Sequence, residues 1–168
     1  MASERITEQL VRKRLDSLGY GSPDNDIAVE EQKSQIDAVK RLLKNASKTG
    51  KGGKGAPEFI ISSASSPDFL VVIECKADVK HHESVKRDAP ASYAVDGALH
   101  YAAHLSKEFN VIALAVSGQT IQQLKVSTFL HAKGGNSFKL LRTKEGKEVD
   151  AIVPWLDYIE HATYDLRP

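Results

Sequence analysis

The chain has 168 residues, room for one compact domain with a sizeable hydrophobic core and little room for two. It is 41% hydrophobic and 27% charged, and no apolar run approaches the roughly 20 residues a membrane span needs, which argues against a membrane-embedded or disordered chain. Formal net charge is +1, which speaks neither for nor against a nucleic-acid partner.

The N-terminus, MASERITEQLVRKRLDSLGY, scatters charges where a secretory leader needs an apolar core, so a cytoplasmic protein is expected. Ile6, Leu10, Val11, Leu15 and Leu18 recur at helical spacing with Gly19 behind them as a C-terminal cap, which predicts a helix from about Glu4 to Leu18. A second helical pattern runs through Ile36, Val39, Leu42 and Leu43 and dissolves into a Lys/Gly loop at Thr49 to Gly55. From Ala38 through Pro57 there is no acid, while Lys40, Arg41, Lys44, Lys48, Lys51 and Lys54 supply six basic residues. Such a segment suits phosphate contact, and Lys48, Lys51 and Lys54 are the candidate DNA-backbone ligands. The stretch GKGGKGA is no nucleotide-binding loop, because Ser or Thr does not follow its lysine and no helix follows it.

Two β-like runs come next, Glu58 to Ile61 and Phe69 to Lys76, joined by the turn-rich SSASSPD; they predict a hairpin. Ala94, Ala98, Tyr101, Ala102 and Leu105 then mark a helix, and Val111 to Val116 reads as a strand covered on both faces. Strands over Leu124 to His131 and Phe138 to Leu141 and a small helix near Trp155 to Glu160 complete an α/β pattern with a mixed sheet flanked by helices.

The chemistry sits at the end of FLVVIECK, where Glu74 and Lys76 lie two apart and so share one strand face. Spacing alone decides nothing, since Glu31/Lys33, Glu145/Lys147 and a related Asp78/Lys80 repeat it. A hairpin turn centred near Ser66, however, sets Glu58 opposite Glu74, with side chains roughly 5 Å apart. Opposed acids destabilise a sheet unless a cation neutralises them, which points to a metal between them. Asp68 is six residues before Glu74 on the same strand, about 20 Å away, and is assigned to capping the turn. With a single cysteine and no HExxH spacing, any metal takes oxygen ligands. Magnesium, which keeps waters and takes carboxylates and substrate phosphate, fits best, and Mn²⁺ is an acceptable substitute. Lys76 would then orient water or stabilise charge in the hydrolysis of a phosphodiester.

Pro57-Glu58, the hairpin, Glu74-Cys75-Lys76, then a helix and a buried strand resemble the PD-(D/E)XK nuclease superfamily. Within it, GAPEFII, VVIECKAD and DGALHYAAHL followed by NVIALAVSG look like the N-terminal nuclease domain of Type I-like restriction enzymes and single-chain restriction–modification proteins, over roughly Ile6 to Gly118. The resemblance implies a restriction-endonuclease-like core and a Mg²⁺-dependent endonuclease. Glu58 and Glu74 would be its ligands, the Cys75 backbone carbonyl a third, and Lys76 catalytic. It also implies duplex DNA as substrate, and methyltransferase, specificity or helicase domains elsewhere in a longer polypeptide of which residues 1–168 form the N-terminal nuclease domain. Two features depart from the pattern: Glu58 replaces the usual aspartate, and Asp96-Gly97 and His100 stand where a helix glutamine is common.

Asp78/Lys80 are reserve candidates should the strand continue. Glu8 sits where some relatives add a carboxylate near the metal. Asp96, His100 and His104 form one helical stripe from which His100 could meet the substrate phosphate, and Cys75 reads as a small buried residue. The rival readings are a non-catalytic DNA-binding or assembly module of the same fold and a stand-alone junction-type nuclease.

Overall fold

The computed structural model describes residues 4–168. Its elements are α1 (Glu4–Ser17), β1 (Ile27–Glu30), α2 (Asp37–Leu43), β2 (Phe59–Ser63), β3 (Phe69–Lys76), α3 (Ala94–Leu105), β4 (Asn110–Ser117), β5 (Lys125–His131), β6 (Phe138–Leu140) and α4 (Trp155–Asp165). The six strands form one sheet in chain order. Only β3 and β4 run parallel, and α3 makes the crossover between them; every other neighbouring pair is antiparallel. The architecture is a mixed sheet flanked by helices, consistent with a restriction-endonuclease-like core.

Strand parity divides the core in two. Val71, Ile73 and Cys75 of β3 and Ile112, Leu114 and Val116 of β4 face Val11 and Leu15 of α1 and Trp155, Tyr158 and Ala162 of α4. Leu70 and Val72, with Val111, Ala113 and Ala115, face α2 and α3. With both faces covered, β4 is apolar from Val111 to Val116, the pattern of a strand buried on two sides. Among the described residues no helix is long and apolar enough to cross a membrane.

The β2–β3 register is the one a turn near Ser66 dictates: Phe59 pairs with Ile73, Ile60 with Val72 and Ile61 with Val71. One step further along the same ladder brings Glu58 beside Glu74, and the Glu58 amide donates to Glu74 Oε1 at 3.1 Å. The turn itself is held by a residue outside the hairpin. Asp26 accepts from Ser63 Oγ at 2.8 Å and from the Ser65 amide at 2.8 Å, so the capping assigned to Asp68 falls to Asp26 while Asp68 stays exposed.

Three other expectations change. The edge strand β1 had no readable signal, being four residues long with only partial burial. The last helix runs on to Asp165 because Trp155, Tyr158 and Ala162 recur at helical spacing and are all buried. And β3 stops at Lys76; Asp78 instead caps a 3₁₀ turn over Val79–His81 by accepting from the Lys80 amide at 2.9 Å. Asp78 and Lys80 therefore leave the ladder on which Glu74 and Lys76 stand.

Candidate active site

Carboxylates converge at the C-terminal end of β3. Ligand-type oxygens of Glu4, Glu8 and Glu58 all lie within 4.8 Å of one another. At such a separation each pair of like charges repels by about 3 kcal/mol in a medium of effective dielectric ~20. Glu58 Oε2 is buried and has no hydrogen-bond partner. A buried acceptor without a donor is costly, and its usual explanation is a water or an ion. Burial first, then the neighbouring Glu8 carboxyl, pushes the Glu58 pKa up to about 7, while the Gln32 side chain pulls the other way.

Glu74 stands next to this group, in the centre of the sheet, and is fully buried. Its Oε1 takes the Glu58 amide and its Oε2 takes Lys48 Nζ at 2.6 Å. Burial pushes the Glu74 pKa up to about 6 even though the Lys48 ammonium pulls it down. Burial alone would lower the Lys48 pKa, but the attraction of Glu74 outweighs it and the net shift is upward. Gly97 on α3 permits this packing: a Cβ there would meet Pro90 O at 3.0 Å and Glu74 Oε2 at 3.1 Å. Gly97 is thus a position where the α3 backbone must come close to the acid.

Lys76 projects from the same strand end, and its ammonium donates to Glu4 Oε1 at 3.0 Å and to Ala91 O at 3.0 Å. Both α1 acids are aimed by Thr7, which lies between them in sequence, is wholly buried and donates to Gly118 O at 2.6 Å. Gly118 is at φ +113°, and a Cβ there would strike Gln123 O at 2.9 Å, so the loop that receives Thr7 needs glycine. Glu4 and Thr7 were not singled out from the sequence. The available signal was two acids four apart, Glu4 and Glu8, on the face of α1 that carries a lone threonine.

The remaining candidates disperse. Cys75 points to the opposite sheet face, and burial pushes its thiol pKa up, so the side chain is no nucleophile. His100 does not reach the acids: its Nε2 donates to Ala46 O at 2.8 Å, tying α3 to the segment that leads into the Lys/Gly loop. Asp96 is buried and accepts from the Ser84 amide at 3.1 Å and the Ala89 amide at 2.9 Å, so it fastens the 83–92 loop instead of lying on an exposed stripe. Lys48 leaves the exposed loop for Glu74, whereas Lys51 and Lys54 remain exposed.

The donor set is all oxygen, crowded with negative charge and supplied by buried or half-buried side chains, which fits a hard divalent cation. Glu4, Glu8 and Glu58 are the residues that would hold it, with Glu74 adjacent and its two oxygens engaged by the Glu58 amide and by Lys48 Nζ.

No family model matches this chain, and no solved structure does. The chain is 30% identical, over 92% of its length, to the Type II restriction enzyme and methyltransferase RM.BcgI of Heyndrickxia coagulans. It spans only 24% of that protein. Most of this chain is therefore similar to about a quarter of a restriction enzyme and methyltransferase.

Proposed function

We propose that this chain is a divalent-cation-dependent DNA endonuclease domain of a restriction–modification system, of the PD-(D/E)XK type, that hydrolyses phosphodiester bonds. The observation that carries the reading is the partnerless, buried Glu58 Oε2 in a cluster with Glu4 and Glu8, with Glu74 bonded to the Glu58 amide and Lys76 at the same strand end. Bound Mg²⁺, or Mn²⁺ in its place, would supply an acidified water and polarise a phosphoryl oxygen.

The chain's own residues supply the rest. Glu58 and Glu8, with Glu74 once Lys48 yields its Oε2 and with the Cys75 carbonyl, would give the ion its oxygen ligands at the C-terminal end of β3. Lys76 is the fixed positive charge: set between Glu4 and the Ala91 carbonyl, its ammonium is placed to stabilise charge developing on the phosphate. Burial of Glu74 excludes bulk water from one side of the site, which strengthens each of these interactions.

The relative's pairing of restriction enzyme and methyltransferase supports a longer assembly in which other domains read and methylate DNA. In this arrangement the present domain cuts.

The test is plasmid nicking in Mg²⁺ or Mn²⁺ beside calorimetric titration of the ion. Glu74→Gln should abolish saturable ion binding and nicking together. Lys76→Ala should keep ion binding and lower nicking by about 10² or more. Ion binding that survives Glu74→Gln, or nicking that survives both changes, would defeat the assignment.

A further inference from the structure

Beside the acid cluster lies a second feature, an open cleft of about 680 Å³ between the β1–α2 connection and the Lys/Gly loop. Lys33, Lys40, Arg41, Lys44 and Lys54 line it, and Asp37 is its one acidic lining residue. Arg41 is held by Glu108 in a bidentate pair, but Lys33, Lys40, Lys44 and Lys54 are exposed and form no salt bridge among the described residues. Four unneutralised ammonium groups along one groove repel each other and attract a polyanion.

The cleft is a built wall. Glu30 accepts from Ser34 Oγ at 2.7 Å and from the Gln35 amide at 2.6 Å, which fixes the turn carrying Lys33. On the other side the Gly55 amide donates to Leu43 O at 2.7 Å, fixing Lys54 next to α2. A Cβ at Gly55 would meet Tyr101 Cε1 at 2.7 Å, so the loop's return is pinned there.

Its position relates it to the acids. Gln32 and Gly55 both line the cleft; the Gln32 amide donates to Pro57 O at 3.0 Å, and the Gln32 side chain stands beside the Glu58 carboxyl. The groove thus opens onto the site through Gln32 and Pro57. No aromatic side chain lines it, so it offers no stacking platform for bases. The lysines come from separate places in the chain, Lys33 from the 31–35 turn, Lys40 from α2, Lys44 from its C-terminal end and Lys54 from the Lys/Gly loop, and so offer several ammonium groups to a repeating anion.

We propose that this cleft is the track for the phosphodiester backbone of one strand of duplex DNA, held by Lys33, Lys40, Lys44 and Lys54 without regard to sequence, and that it leads the strand to the acid cluster. This rests on the nuclease reading above and adds to it the side from which substrate enters. Lys33, Lys40 and Lys44 belong to this surface although the glycine-rich loop is the more conspicuous basic segment in the sequence.

The test is binding of a short labelled duplex by fluorescence anisotropy across a salt series, in EDTA so that nothing is cleaved. Each lost phosphate contact lowers the slope of log Kobs against log[salt] by about 0.9, so Lys33→Ala/Lys40→Ala/Lys44→Ala/Lys54→Ala should reduce it by about 3 to 4. Affinity at low salt should fall by about tenfold or more, for duplexes of unrelated sequence alike. The matching Lys→Arg quadruple variant should restore the wild-type slope. Lys13→Ala/Lys144→Ala/Lys147→Ala, exposed and outside the cleft, should leave it unchanged. Inorganic phosphate at millimolar concentration should not displace the duplex.

An unchanged slope in the cleft variant, an equal loss in the outlying variant, or displacement by inorganic phosphate would overturn the proposal. Nicking measured on the same proteins separates the two readings. Glu74-dependent nicking in wild type with an unchanged slope in the cleft variant removes the track alone; a reduced slope in the cleft variant with a wild-type chain that never nicks removes the nuclease reading alone.

Discussion

At the scale of the residue, the buried Lys48–Glu74 pair has the sharpest consequence. Removing one partner of a buried ion pair strands the other, at a cost of about 3–5 kcal/mol. In Lys48→Met the fully buried Glu74 would lose the ammonium on its Oε2. That variant should melt well below wild type in EDTA and regain more of its melting temperature than wild type does when Mn²⁺ is added, because the ion no longer competes with a tethered cation. Equal Mn²⁺-induced shifts in the two proteins would show that Lys48 and the ion do not share Glu74. Gly97→Ala tests the opposite wall: alanine favours the helix by about 1 kcal/mol, but its Cβ would press on Glu74 Oε2 from 3.1 Å. Nicking should fall on the order of tenfold or more while helical content by circular dichroism is kept. These two residues also mark the limit of sequence reasoning at the site. Glu58, Glu74 and Lys76 could be placed together from strand parity and turn position, whereas Lys48 is near Glu74 only because a loop folds back over 26 residues.

Among the elements, α1 bears on the site most. Its apolar spacing was plain in the sequence, and Gly19 ends it in the left-handed region at φ +86°. Its rotation about its own axis was not, because that angle is fixed by Thr7 reaching Gly118 O across the sheet end. Thr7→Val keeps shape and removes the donor, leaving a buried carbonyl unpaired at a cost of about 1–3 kcal/mol. Calorimetry should show weaker Mn²⁺ binding than in wild type, with Glu4 and Glu8 no longer aimed at Glu58; undiminished affinity would mean that the helix is positioned by its apolar face alone. The hairpin is the opposite case, since a short turn and period-two alternation fix register locally and Phe59 duly pairs with Ile73.

For the whole molecule, stability should depend on His82. Its ring is buried at the junction of β4, β5 and the 3₁₀ turn, between Ser117 Oγ at 2.7 Å and Ser127 Oγ at 2.8 Å. Burial first, then Lys125, pushes its pKa down to about 4 against a partial offset from Glu83. Unfolded, the same ring titrates near 6.5, so between those values the unfolded chain binds a proton that the folded chain refuses. Stability is therefore full above the unfolded value and is lost as pH falls towards 4, by up to about 3 kcal/mol. Glu58, raised towards 7, has the opposite sign and loses stability as pH rises. Denaturant unfolding of wild type and His82→Gln at neutral and mildly acidic pH isolates the histidine, and the variant should lose less stability on acidification. Parallel pH dependences would show that the ring binds its proton equally in the folded and unfolded chains.

The sequence by itself determined the order of elements apart from β1, the α/β class with its mixed sheet, the doubly covered β4 and the hairpin register that brings Glu58 to Glu74. All of these follow from periodicity and short-range turn chemistry, which act between near neighbours in the chain. Only the tertiary structure decided that Glu4 joins Glu8 and Glu58, that Lys48 meets Glu74, that His100 supports Ala46, and that Lys33 and Lys54 line one cleft. Each of those meetings depends on the angle at which a helix or loop is set against the sheet. That angle comes from side-chain packing and buried hydrogen bonds between distant segments, to which local pattern is blind.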